Sequence, residues 1–331
     1  MSKNVIGFML IDAPHSALNN AGNDYSDRTD NMVKVKTIWK GGKSYPYVSG
    51  QALRYWWRET LESKFNWEMS PIVRDKKIAF TSANPIDYPD DDMFGYMRAL
   101  SKKEGGTVTR RSVLSNSPLV SVVGQNPSND FGVMARHEGD PVPYEHEFYS
   151  TILKGIFSIN LDTAGKFYTK ETTGYRNMYP DLVKLAEEKG LTNTDDAWVL
   201  DYETRIKRVE DIIKALPYLY GGAKQAAHLT DVTPKFLILT SIDGGNHFLM
   251  NIIKEEEKGA KLDIEALKEV LNDYKDILLT KVYIGFRKGF LNNKTSEQLE
   301  ELSKENDKIV LGSINQIVDE FNKEIPKLVE K

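Results

Sequence analysis

The run Ser49-Gly-Gln51-Ala-Leu-Arg54-Tyr55-Trp-Trp-Arg58 holds two guanidinium groups, an amide and a phenol at helical spacing. At about 100° per residue, Gln51, Arg54 and Arg58 form one stripe with Tyr55 beside it. Leu53, Trp57, Thr60 and Leu61 gather on the opposite side. The Ser49 hydroxyl can cap the first turn by accepting from a backbone N–H left unpaired there. Planar donors and an aromatic ring near a helix N-terminus suit a phosphate-bearing polymer. The same stripe also fits the solvated basic face of an amphipathic surface helix, and helix geometry alone leaves both readings open.

Two further constellations carry chemistry. Asp12-Ala-Pro-His15-Ser16-Ala-Leu-Asn19-Asn20 follows the first apolar run directly. Small and amide side chains at a strand end can hold phosphate or ribose through neutral hydrogen bonds, but the composition equally fits an Asx-rich turn. Gly221-Gly-Ala-Lys224-Gln225-Ala-Ala-His228 lets backbone N–H groups approach an anion, with Lys224 adding charge. It lacks Walker spacing, and Gly-Gly also serves as a plain helix C-cap. Glu145-His146-Glu147 invites a metal, yet in an extended chain His146 points away from both glutamates. No His-Glu-x-x-His or Gly-x-Ser-x-Gly occurs, and Asp24, Asp27 and Asp30 lack the other positions of a calcium loop.

The elements that must position these residues can be read from pattern. The chain has 331 residues, 40% apolar and 28% charged, with a net charge of −4 and no cysteine. Disulfides, thiolate zinc sites and cysteine nucleophiles are therefore excluded, and the composition fits a reducing compartment. The N-terminal apolar run ends at Asp12 and reads as a buried strand instead of a signal peptide. No segment reaches the ~20 apolar residues needed to cross a bilayer; a cytoplasmic protein is expected. The net charge argues against a uniformly basic duplex binder, but charge is segregated. Arg98, Lys102, Lys103, Arg110 and Arg111 cluster, while Asp90–Asp92 and Glu255–Glu257 are acidic.

Val5–Ile11 predicts a strand buried on both faces. Residues 12–42 form a long polar connection with a candidate strand at Met32–Trp39, and residues 49–64 the first helix. Lys77–Ser82 is a short strand, Asp91–Leu100 a helical insert, and Pro118–Val123 another strand. Residues 124–144 lack periodicity and are rich in turn residues, a length of loop that is usually functional or disordered. Thr151–Leu161 alternates as a half-buried strand, Tyr202–Leu216 is the second major helix, and Lys235–Ser241 a further strand. Setting insertions aside, the order strand, helix, strand, strand, helix, strand is the split βαβ pattern of ferredoxin-like and RNA-recognition folds, an α+β class. Beyond Gly244 the chain reads as helical, with Val310, Ile314, Ile317, Phe321 and Ile325 as its apolar stripe.

Taken in order, these segments resemble the repeating backbone subunit of type I CRISPR surveillance complexes (Cascade), in particular the DevR-like group of subtype I-B. The residues that carry the resemblance are Asp12–Asn20, Tyr45–Arg58, Asp91-Asp-Met-Phe-Gly-Tyr96, Ser117–Val122, Tyr144–Thr151 and Tyr220–Gln225. The resemblance implies a single hand-shaped domain. Its RRM-like palm would comprise about 1–65, 117–123 and 149–243. A fingers insert would span about 66–116 and a thumb loop about 124–148, with a helical C-terminal part at about 255–331. It further implies a noncatalytic, cofactor-free antiviral-defence protein that binds crRNA and polymerises head to tail with copies of itself. Its other partners would be target DNA and other Cascade subunits, without a membrane. Carried over by position, Ser16, Asn19, Asn20, Gln51, Arg54, Arg58, Lys224 and Gln225 face the RNA, with Arg136 and His137 on the thumb. A sequence-independent guide holder must grip phosphate and ribose while leaving base edges free. Many weak copies on one RNA make a slightly acidic subunit tolerable.

Two alternatives remain at this level. One is a metal-dependent ribonuclease of the type III kind, using Asp24, Asp27 or Asp30. The other is a general single-strand binder, which would normally display stacking aromatics; Trp56 and Trp57 instead read as buried.

Overall fold

The computed structural model describes residues 2–24, 32–75, 78–100, 106–170, 176–194, 196–256 and 259–331. Asp27, Asp30, Lys102, Lys103 and the side chain of Asp24 lie outside the described residues. The chain is mixed α/β around one large sheet. Its strand order is Ile309–Gly312, Val282–Phe286, Phe236–Asp243, Lys3–Ser16, Val142–Asn160, Leu119–Ser121, Lys43–Val48 and Thr37–Lys40. Neighbours are antiparallel except for the first pair, which is parallel.

The uninterrupted apolar run of the first strand is explained by burial on both sides. Val5, Met9 and Ile11 enter one core, and Ile6, Phe8 and Leu10 the other, as the two-residue period of a strand requires. The first core is roofed by the helices Gly50–Phe65 and Tyr202–Lys214. Gly7 is paired with Phe157, and a Cβ there would lie 2.1 Å from the Phe157 ring. Glycine thus lets that ring lie flat across the strand, where it meets Trp57 edge-on at 5.3 Å. The Trp57 indole N–H donates to the Ile212 carbonyl at 2.9 Å and ties the two helices together.

The first helix follows its sequence closely. Ser49 is the N-cap, its hydroxyl accepting from the Ala52 amide at 3.3 Å. Leu53, Trp57, Thr60 and Leu61 are all buried. The acidic run Asp90–Asp92 is a different matter. It does not form a solvated face but the buried helix Pro89–Phe94. The Asp90 and Asp91 carboxylates accept the Ser70 and Asn84 amides, both within 2.9 Å. Asp92 is held between Arg110 and Arg208.

Three regions depart from expectation. The helical insert expected over Asp91–Leu100 ends at Phe94, and Tyr96–Arg98 is a strand paired with Val108–Arg110. Residues 124–144 are not a structureless loop: Ser128–Met134 pairs with Val142–Phe148 as a projecting β-hairpin. Ser128–Met134 is exposed on both faces apart from half-buried Gly132, so no burial pattern marks that arm in the sequence. Beyond Gly244 the chain has the expected helices, including Ile264–Asp273, Asn293–Glu305 and Ile314–Asn322, but it also adds the strands Val282–Phe286 and Ile309–Gly312 to the sheet. Residues 249–309 of this part cover the sheet face opposite the two helices, whereas Ile314–Asn322 packs beside Tyr202–Lys214 in the first core. His247 is locked into the C-terminal part. Its Nε2 donates to the Gly7 carbonyl at 2.9 Å, and its Nδ1 accepts from the Leu249 amide at 3.3 Å.

Candidate nucleic-acid interface

Three segments far apart in sequence meet at one end of the sheet. They are the turn after the first strand, the loop Tyr220–Thr230, and the root of the projecting hairpin. Ser16 is fully buried there, its hydroxyl bonded to that of Thr230 at 2.8 Å. The Ala223 amide donates to the Leu18 carbonyl at 3.0 Å. Asn19 Oδ1 accepts from the Ser49 amide at 2.9 Å, fixing the start of the first helix against the turn. Gln225 donates to the Gly221 and Thr230 carbonyls and closes the loop on itself. Ser16, Asn19 and Gln225, expected to face RNA, therefore spend these side-chain groups on scaffolding.

Glycine is required in this loop. Gly221 and Gly222 sit at φ +146° and +104°, and a Cβ on Gly221 would lie 2.2 Å from Trp56. The bare backbone thus lies against the indole. Lys224 continues the unusual conformation at φ +57°. Its side chain is exposed and makes no hydrogen bond or ion pair among the described residues. Gln51 is exposed at the start of the first helix, and Asn20 is half-buried with its Oδ1 unpartnered.

Arg54 and Arg58 do not join this surface. Arg54 donates to the carbonyls of Leu114 and Phe94, to Ser112 Oγ at 2.9 Å and to Asn116 Oδ1 at 3.3 Å. Arg58 lies 4.2 Å from the centroid of the Phe94 ring, near Asp90 and Asp91. Burial lowers both pKa values, that of Arg54 to about 10, with the Arg58 charge adding to the effect. The reason is geometric. Trp56 faces the Gly221 loop, and Arg54, two residues earlier and about 200° around the helix, faces the insert instead. The expectation of one trough shared by Arg54, Arg58 and Lys224 is thereby corrected.

An aromatic cluster was missed. His15, His146 and His228, three of the five histidines, converge with Tyr144 and Phe148. The His15 and His228 rings stack at 6.4 Å between centroids, and His146 meets His228 edge-on at 5.9 Å. Tyr144 stacks on His146 at 6.3 Å. His146 Nδ1 and His228 Nε2 are buried without a hydrogen-bond partner, while His146 Nε2 lies 3.3 Å from Asp130. The available signal was that each histidine falls within a segment already singled out. Among the described residues, no three metal-binding side chains are placed to hold one ion. Arg136 and His137 are exposed at the hairpin tip, where His137 Nδ1 lies 3.0 Å from the Glu138 carbonyl oxygen.

Burial, followed by the neighbouring His146, lowers the pKa of His228, and burial lowers that of His247. A folded pKa below the ordinary 6.5 means that the native state binds fewer protons than the unfolded chain in that interval. The stability contribution is complete above the unfolded value and is lost as pH falls through the folded one. The urea midpoint is expected to drop between about pH 7 and pH 5, and His247→Gln should flatten that dependence. A pH-independent wild-type midpoint would refute this.

The exposed groups at this end are one free ammonium, amides, imidazoles and a phenol. They can hold a polyanion's backbone and stack on its rings. Residues 14–255 match the family described as CRISPR-associated negative auto-regulator DevR/Csa2. A comparison with curated protein sequences gave no match. Among solved structures, the chain is similar to a protein of a "CRISPR RNA-guided surveillance complex" at 14% identity and TM-score 0.55, covering 97% of this chain and 98% of the other. It is also similar to one of a "CRISPR RNA-guided surveillance complex, pre-nicking" at 12% identity and TM-score 0.60, covering 97% and 100%. No helix among the described residues is long and apolar enough to cross a membrane. With most of its length matched, the chain belongs to the DevR/Csa2 family of CRISPR-associated proteins.

Proposed function

We propose that this protein is a noncatalytic crRNA-binding backbone subunit of a type I Cascade complex, of subtype I-B. It polymerises head to tail along the guide and presents it to target DNA in cytoplasmic antiviral defence. The palm is RRM-like: Phe236–Asp243, Lys3–Ser16, Val142–Asn160 and Leu119–Ser121 lie in the spatial order fourth, first, third, second, with both helices on one face. The projecting hairpin is the thumb and the segment of about 66–116 the fingers.

The observation that carries this reading is the meeting of the first turn, the glycine loop and the thumb root on one surface with Lys224 exposed. Since the helices cover one sheet face and residues 249–309 the other over the central strands, this end of the sheet is where the turn and loop can meet a guide. Lys224 and Gln51 contact the strand directly. Ser16, Asn19 and Gln225 hold the loops in place, and Arg136 and His137 act at the thumb tip. Head-to-tail contact between copies is heterologous and so open-ended, as a filament needs.

Lys224→Ala is expected to weaken RNA binding equally for unrelated guide sequences and to reduce the salt slope by about 0.7, one phosphate contact. Its unfolding midpoint should stay at the wild-type value. Unchanged affinity and slope would remove Lys224 from the interface. Sequencing the nucleic acid that co-purifies with the protein tests the class: uniform guide-length RNA is expected, and heterogeneous fragments would point to a general single-strand binder.

A further inference from the structure

The far edge of the sheet carries a second charged surface on the face opposite the two helices, meeting the first turn at Lys36, whose amide donates to the Asn19 carbonyl at 3.0 Å. Lys43–Val48 alternates exposed or half-buried Lys43, Tyr45 and Tyr47 with buried Ser44, Pro46 and Val48. Tyr47, Val120 and Lys154 are paired in one row across three strands, so their side chains share a face. Ile38 pairs with Tyr45 and Lys40 with Lys43, which adds them to the same face. Lys36 continues this register, its carbonyl accepting from the Tyr47 amide at 2.9 Å.

Lys43 is neutralised, because Glu255 of the C-terminal part lies 2.8 Å from its ammonium and also accepts from the Tyr45 hydroxyl. Lys36, Lys40 and Lys154 have no carboxylate partner among the described residues. Lys154 donates only to the Met250 carbonyl, at 3.5 Å, and its pKa is lowered by burial and by the charge of Lys40. A chain of net charge −4 thus holds mutually repelling ammonium groups beside two half-exposed phenol rings. Such an arrangement costs stability unless a polyanion relieves it. Cations that track a backbone next to rings that accept stacked bases form a single-strand platform.

We propose that the face formed by Lys36, Ile38, Lys40, Tyr45, Tyr47 and Lys154 binds a single polynucleotide strand other than the one held at the thumb root. Its cations follow phosphates and its tyrosines stack on bases. DNA and RNA share this chemistry. The proposal does not depend on the role given to Lys224.

The test is equilibrium binding of the full-length protein to thymidine and uridine homopolymers of about 30 nucleotides over a salt series. The Lys36→Ala/Lys40→Ala variant is expected to bind more weakly, with a salt slope shallower by about 1.4, and Lys36→Arg/Lys40→Arg to bind like wild type. Its unfolding midpoint, unchanged or raised by relieved repulsion, shows that the loss is not misfolding. Loss on both polymers supports the proposal, and loss on one alone supports it and names the strand. Wild-type affinity and slope on both would overturn it, whatever Lys224→Ala does. A variant that binds both polymers normally but loses a co-purifying protein would also overturn it, assigning the face to a protein partner. If Lys224→Ala alone is silent, the thumb-root reading fails and this one stands.

Discussion

Asp92→Ala is expected to destabilise the protein by about 3–5 kcal/mol, the range for removing one member of a buried ion pair. Asp92 is 0% exposed, and its two arginines, Arg110 and Arg208, are 4% and 6% exposed. Their guanidinium groups also donate to the carbonyls of Asp92, Thr163, Lys166, Pro85 and Ile86, and the Asp92 carboxylate further accepts the Gly165 amide. The aspartate thus joins the segment Pro89–Arg110 to the helix Tyr202–Lys214 and to the turn after the long strand. Alanine would leave two cations in low dielectric without a counter-charge, and water cannot reach them without opening the interface. Denaturant unfolding measures the loss. A change below about 1 kcal/mol would mean that the arginines re-solvate freely and that the joint is not rigid.

Arg54→Ala should cost about 2–3 kcal/mol through lost charge-assisted hydrogen bonds. RNA affinity should fall only as far as the folded fraction does. Arg54 spans four acceptors from the segment Phe94–Asn116, and a planar five-donor fork is what reaches them together. Arg54→Lys, which keeps the charge but not the fork, should recover little of the stability. The contrast with Lys224→Ala is diagnostic: one variant loses stability with normal intrinsic binding, the other binding with normal stability. If Arg54→Ala unfolds like wild type yet loses RNA, the arginine grips the guide after all.

These two residues show where sequence reading reached its limit. The stripe of Gln51, Arg54 and Arg58 follows from the helix period, and the Ser49 cap and the buried Leu53–Leu61 face from the same local rule. What lies over the stripe does not, because Phe94, Ser112 and Leu114 arrive from 40–60 residues along the chain. The burial of Asp90–Asp92 was illegible for the same reason: Arg110 and Arg208, which pair with Asp92, are 18 and 116 residues away along the chain. The helices Gly50–Phe65 and Tyr202–Lys214 were legible from their periodic buried faces, and Lys3–Ser16 and Phe236–Asp243 from apolar runs buried on both sides. Val282-Tyr-Ile-Gly-Phe286 and Ile309-Val-Leu-Gly312 are short apolar runs that periodicity cannot assign to strand or helix. The His15, His146 and His228 cluster is a product of chain closure, and no spacing in the sequence encodes it.

The strand Val142–Asn160 has a consequence of its own. It is continuous for 19 residues, so one arm of the exposed hairpin and a central rung of the core belong to one bar about 60 Å long. It runs unbroken from Val142 beside the exposed tip to Phe157 beneath Trp57, and its ladder with the first strand shifts register once, between Thr151 and Tyr149. A push on the tip is therefore carried along one backbone toward the hydrophobic interior, and the register shift beside Tyr149 is the point at which the lever can bend.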